Sequence, residues 1–163
     1  MTTIATRFVQ SVNNWAANRV AAGAARPLSI LVVDDEDAIL RYLDRVLSGA
    51  CHRTTMAVDG ADAIAAAPRG GPFDLLLTDV VMPKMTGAEL ALRLRQDDPD
   101  LKVLYLTGYS DRLFAEKTTL SNEEAFLEKP CSIVGLLQAV SLAITGSVGS
   151  APLPPSDRWR SEA

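Results

Sequence analysis

From Leu28 to about Ile144, short apolar runs alternate with amphipathic stretches, the pattern of βα units built on a parallel sheet. The expected strands are Leu28–Val33, Arg53–Val58, Phe73–Thr78, Leu101–Leu106 and Ala125–Leu127. Ile30, Leu31, Val32 and Val33 form the clearest continuous apolar run, as a strand covered on both faces requires. The second strand is the weakest, because His52, Arg53, Thr54 and Thr55 are polar. Between the strands, Asp37–Leu47 repeats Ile39, Tyr42, Leu43, Val46 and Leu47 at helical spacing, with Gly49 as the stop signal. Gly60–Ala67, ended by Pro68, and Gly87–Gln96, followed by Pro99, are two further helices, and Asp111–Thr119 and Ser132–Ile144 complete the set. The fold class is therefore α/β, a (βα)5 arrangement spanning residues 28–145.

The flanks differ in composition. In residues 1–27, Ile4, Phe8, Val12 and Trp15 within Thr3–Val20 suit an extra amphipathic helix. Residues 146–163 contain Pro152, Pro154 and Pro155 among small polar residues, a disordered tail by composition and too short for an output domain. At 163 residues, 48% hydrophobic and 22% charged, the chain suits one globular domain. A net charge of −4 with no basic cluster argues against nucleic acid as a partner. No apolar run reaches the roughly 20 residues that span a bilayer, and polar residues interrupt Met1–Ala25 too often for a signal peptide, so a cytoplasmic location away from membranes is expected. Cys51 and Cys131 lack metal-site spacing and are expected to be small core or near-surface residues.

The chemistry lies where the strand reading puts it. Asp34 and Asp35 follow the first strand, Asp79 the third, Thr107 the fourth and Lys129 the fifth. Ligands of open parallel sheets bind outside the carboxyl ends of the strands, so these loops converge on one site. Singly, each has a duller role: Asp34–Asp37 suits a helix start, Asp79 and Thr107 suit turns, and Lys129-Pro130 suits a strand exit. Jointly they supply phosphoryl transfer to an aspartate. Crowded carboxylates call for a hard cation, Mg²⁺ or Mn²⁺, Asp79 is a nucleophile that needs no base at neutral pH, and Thr107 and Lys129 serve phosphoryl oxygens.

Leu31-Val32-Val33-Asp34-Asp35-Glu36, Leu77-Thr78-Asp79-Val80-Val81-Met82-Pro83-Lys84-Met85-Thr86-Gly87, Leu106-Thr107-Gly108 and Glu128-Lys129-Pro130 resemble, in that order, the four signatures of response regulator receiver domains. The resemblance implies a doubly wound five-stranded sheet of strand order 2-1-3-4-5. It also implies Asp34, Asp35, Asp79 and the Val81 backbone carbonyl as metal ligands, Asp79 as phosphoacceptor, Thr107 and Phe126 as switch residues, and a cis Lys129–Pro130 bond. The implied activity is signalling with Mg²⁺-dependent self-phosphorylation and autodephosphorylation, not that of a conventional enzyme. The implied partners are a sensor histidine kinase or a histidine phosphotransfer protein, with self-association or an effector on a face of Asp111–Thr119, Phe126 and Ser132–Ile144. Val81 and Tyr109 depart from the family's usual residues and are expected to prolong the phosphate. The alternatives are a pseudo-receiver interaction module and a phosphate sink for a hybrid kinase. A haloacid dehalogenase-type phosphatase fails because Val81 stands where its second aspartate belongs, and no glycine-rich loop follows the first strand for a nucleotide.

Overall fold

A computed structural model describes residues 26–108 and 123–145. Five parallel strands, β1 (Ser29–Val33), β2 (Arg53–Ala57), β3 (Leu75–Asp79), β4 (Lys102–Thr107) and β5 (Glu124–Glu128), pair in the order β2-β1-β3-β4-β5. Four helices are described: α1 (Asp37–Gly49), α2 (Gly60–Gly70), α3 (Gly87–Leu94) and α4 (Ile133–Thr145). The expected helices Thr3–Val20 and Asp111–Thr119, Tyr109 and the 146–163 tail lie outside the described residues.

The sheet separates two apolar layers. Alternate residues of β1, Ile30 and Val32, join Leu40, Leu43, Leu47, Leu136 and Val140 from α1 and α4 on one face. Leu31 and Val33 join Ala63, Leu90, Ala91 and Tyr105 on the other. This two-sided burial is why β1 reads as one unbroken apolar run. The weak β2 is an edge strand, so its polar residues face solvent in part. His52 stands just before it as a structural residue, its Nδ1 accepting the Leu28 N–H at 3.2 Å.

Three expectations need correction. The buried stripe of α1 is Leu40, Leu43, Val46 and Leu47, and Tyr42 is turned outward, its hydroxyl donating to the Cys131 carbonyl at 3.3 Å. Leu43, Val46 and Leu47 of the expected stripe are buried and Ile39 packs beside them; the expected stripe left out Leu40, which shares their face at i, i+3 and i+7 spacing. At its end the left-handed residue is Cys51 (φ 66°), not Gly49, which is the last helical residue. Pro68 does not end α2, which runs on to Gly70 while the Gly71 N–H caps Ala67 at 3.0 Å. Cys51 is exposed and Cys131 half-buried, so both are free near-surface cysteines.

Asp74, just before β3, ties the amino end of the sheet together. It accepts the Ser29 N–H at 2.8 Å and two bonds from Arg26 at 3.0 and 2.5 Å. The Arg26 hydrogen bond, opposed by burial and aided by Ser29, holds its pKa below the usual carboxylate value. A depressed pKa stabilises the fold above the unfolded value of about 3.9, and that contribution disappears as pH falls through the folded value. Asp74→Asn should therefore melt a few degrees below wild type at pH 7, with the gap closing in acid. A gap independent of pH in melting curves would assign the loss to packing instead.

Candidate functional site

The carboxyl ends of β1, β3, β4 and β5 bring every expected site residue except Phe126 to one end of the sheet. Asp79 and Thr107 are themselves the final residues of β3 and β4, one position earlier in the architecture than the sequence suggested. Asp34 follows β1 directly and is wholly buried; its Oδ1 accepts the Glu36 N–H at 2.9 Å and its Oδ2 accepts the Lys129 Nζ at 2.8 Å. The turn at the head of α1 thus uses Asp34, and Glu36 at the N-cap makes no side-chain cap of its own. Asp35 is exposed beside it, and one carboxylate oxygen from each of Asp34, Asp35 and Asp79 lies within 4.8 Å of the others. Lys129 Nζ stands 3.4 Å from Asp79 Oδ2.

Three carboxylates facing one ammonium leave the cluster short of positive charge. Burial raises the pKa of Asp79 and the Asp34 charge pushes the same way, while Lys129 and the Val81 N–H, which donates to the Asp79 carboxylate, only partly oppose it. Burial penalises the Lys129 ammonium, yet its hydrogen bond to Asp34 and the charges of Asp79 and Asp34 outweigh this and raise its pKa. Lys129 therefore stays charged at neutral pH. A donor set made only of hard carboxylate oxygens, clustered this closely, fits Mg²⁺.

The backbone holds these groups in place. The Lys129 N–H donates to the Thr107 carbonyl at 2.8 Å, joining the ends of β4 and β5, and the Lys129–Pro130 bond is cis. Thr107 is buried, whereas Phe126 is 38% exposed on β5 opposite Tyr105. Asp79 is anchored from behind by the loop to α3, where the Gly87 N–H donates to Val80 O at 2.9 Å. A Cβ on Gly87 would lie 2.2 Å from the Asp79 carbonyl oxygen, so the position is a close approach of two backbones and not merely a turn. Thr86 and Glu89 form a reciprocal capping box at the start of α3, with bonds of 3.2 and 2.8 Å. Its T-x-x-E spacing was present in the sequence as an unused signal for where that helix begins.

Residues 30–141 match the model of the response regulator receiver domain family. The chain belongs to that family. As a receiver domain it takes part in two-component signalling. It is 34% identical over 111 residues to the response regulator receiver protein CpdR of Brucella abortus, covering 68% of this chain and 92% of that one. It is also 34% identical over 113 residues to the sensor kinase CckA of Brucella abortus, but there it spans only 12% of the relative's length. Among solved structures it resembles the response regulator TrrA of Thermotoga maritima, crystallised in complex with Mg(2+)-BeF. That pair shares 29% identity and a TM-score of 0.60, over 71% of this chain and 98% of the other. Among the described residues, no helix of this receiver domain is long and apolar enough to cross a membrane.

Proposed function

We propose that this receiver domain accepts a phosphoryl group on Asp79 from the phosphohistidine of a sensor histidine kinase or a phosphotransfer protein. In the transfer an Asp79 carboxylate oxygen bonds to phosphorus as the bond from phosphorus to the donor's imidazole nitrogen breaks, giving an acyl phosphate. The observation that carries this reading is the convergence of Asp34, Asp35, Asp79 and Lys129 at the carboxyl end of the sheet, with Lys129 Nζ 3.4 Å from Asp79 Oδ2. Asp34, Asp35, Asp79 and the Val81 carbonyl would hold Mg²⁺ or Mn²⁺. When bound, the ion supplies positive charge against the phosphoryl oxygens.

The chain's own residues do the rest. The Val81 N–H and Lys129 orient the Asp79 carboxylate, and Lys129, already charged, offers hydrogen bonds to a phosphoryl oxygen. Thr107 closes β4 and turns its hydroxyl to the incoming group as the switch. Phe126, Val134 and Leu142, between 38% and 40% exposed on β5 and α4, supply apolar surface for an effector or a second copy.

The direct test is incubation with acetyl phosphate and Mg²⁺, followed by intact mass. A gain of one phosphoryl group that EDTA prevents is expected; no gain with any donor would leave a pseudo-receiver. The Val81 side chain is 38% exposed and apolar, unable to hold a hydrolytic water. Val81→Asn is therefore expected to shorten the phosphate half-life several-fold at matched Mg²⁺. Equal radiolabel decay in the two proteins would place that control elsewhere.

A further inference from the structure

β5 is an edge strand and the least buried of the five; among the described residues its backbone pairs with β4, and Ala125 and Leu127 pack in the layer with α4. Yet Lys129, at its carboxyl end, must sit within ångströms of two carboxylates. The opposite end of β5 carries an unusual fixture. Arg95, at the C-cap of α3, has a side chain only 18% exposed, and its donors point inward. Its Nε and Nη2 donate to the Leu101 carbonyl at 3.0 and 2.8 Å, Nη2 also to the Glu123 carbonyl at 3.3 Å, and Nη1 to Glu124 Oε1 at 2.9 Å. The Glu124 carboxylate is wholly buried and also accepts the Tyr105 hydroxyl at 3.2 Å. One guanidinium thus joins the end of α3, the entry to β4 and the first residues of β5.

We propose that Arg95 and Glu124 are positioning residues for Lys129, clamping β5 in register so that its far end delivers the ammonium to Asp34 and Asp79. This deepens the proposed function and rests on it. Glu124 and Lys129 are five residues apart, about 16 Å along a strand, too far for any direct electrostatic role at the site. The connection runs through the strand itself: Glu124 pairs with Val103 and Glu128 with Thr107, and the Lys129 N–H bonds to Thr107 O at 2.8 Å. A buried carboxylate and guanidinium with several fixed acceptors specify one register, because a shift of one residue would strand both charges without partners. The acidic cluster is carried by β1 and β3 and does not depend on this clamp.

The test is Glu124→Ala in the full chain, at a temperature where circular dichroism shows both proteins folded. The first readout is the ¹³Cε resonance of Lys129 at fixed pH without phosphodonor. The second is the rate of acetyl phosphate incorporation, and the third the apparent Mg²⁺ affinity. Expected are a shifted or broadened Lys129 signal, incorporation slowed about tenfold or more, and Mg²⁺ affinity within twofold of wild type; Glu124→Gln, which keeps an acceptor for Tyr105 and Arg95, should recover part of the rate. An unchanged Lys129 signal in the folded Ala variant would overturn the proposal. Because that signal is read without phosphorylation, a wild type that takes up no phosphate would sink the proposed function alone and leave the positioning result standing.

Discussion

An Asp79→Asn variant incubated with acetyl phosphate and Mg²⁺ is expected to gain no phosphoryl mass under conditions where the wild type is expected to gain one group. The amide is almost the same shape but carries no anionic oxygen to attack phosphorus, so the loss should be complete to the detection limit and not partial. The fold should survive, since Asp79 contributes a strand end and not core volume. Its pKa is raised chiefly by burial and further by the Asp34 charge, which means the ionised form opposes folding as pH rises past the unfolded value. In metal-free buffer at pH 7, Asp79→Asn should therefore melt at or above wild type, the difference shrinking toward acid. Added Mg²⁺ should then stabilise the wild type more than the variant, because a neutral amide oxygen is a weaker ligand than a carboxylate. Phosphate retained on the variant, in acid-labile form, would move the acceptor to another residue. A variant unfolded at neutral pH would show that Asp79 is held by more than the contacts described above.

Gly87→Ala is expected to be among the most damaging single-methyl additions in the molecule. Alanine at the head of a helix is normally neutral or favourable by up to about 1 kcal/mol. Here its Cβ would meet the Asp79 carbonyl oxygen at 2.2 Å and the Thr78 Cγ2 at 3.1 Å. The first of these is backbone within the central strand and cannot rotate away. Overpacking of this kind costs roughly 1–3 kcal/mol and more where the neighbour is rigid, so the clash outweighs the helix gain. A fall in melting temperature of about 10 °C is expected, using about 4–8 °C per kcal/mol for a domain near 100 residues. The same displacement moves Asp79, so phosphoryl uptake should fall even in the folded fraction at low temperature. Thermal melts within about 2 °C of wild type, the size of a few tenths of a kcal/mol, would show that the loop after β3 yields easily.

The five βα units and the cluster of Asp34, Asp79, Thr107 and Lys129 were legible in the chain because parallel strands are short apolar runs and their carboxyl-end loops must meet, whereas the strand order followed only from the resemblance to receiver domains. Fully buried segments such as Ile30–Val33 leave little choice of structure, and acidic residues placed directly after them have few places to go. The polar β2 was also readable, though weakly, since an edge strand has only one neighbour to satisfy.

Other features depend on distances between residues remote in sequence, which periodicity does not carry. In α1 the stripes Ile39-Tyr42-Leu43-Val46 and Leu40-Leu43-Leu47 both fall at helical spacing, and only packing against the sheet decides that Leu40 is buried and Tyr42 exposed. Gly87 reads in the sequence as the start of a helix, and only the folded chain sets the Asp79 carbonyl against it. Arg95 and Glu124 are charged residues that no sequence pattern marks for burial; only folding brings α3, β4 and β5 together, so that burial of each is offset by the other. The amino-acid sequence by itself determined the α/β class, the succession of five βα units and the identity of the acidic and basic groups at the site. Tertiary structure alone decided how close those groups stand and which buried contacts hold Lys129 at the end of an edge strand, because these are properties of three-dimensional contact and not of neighbours along the chain.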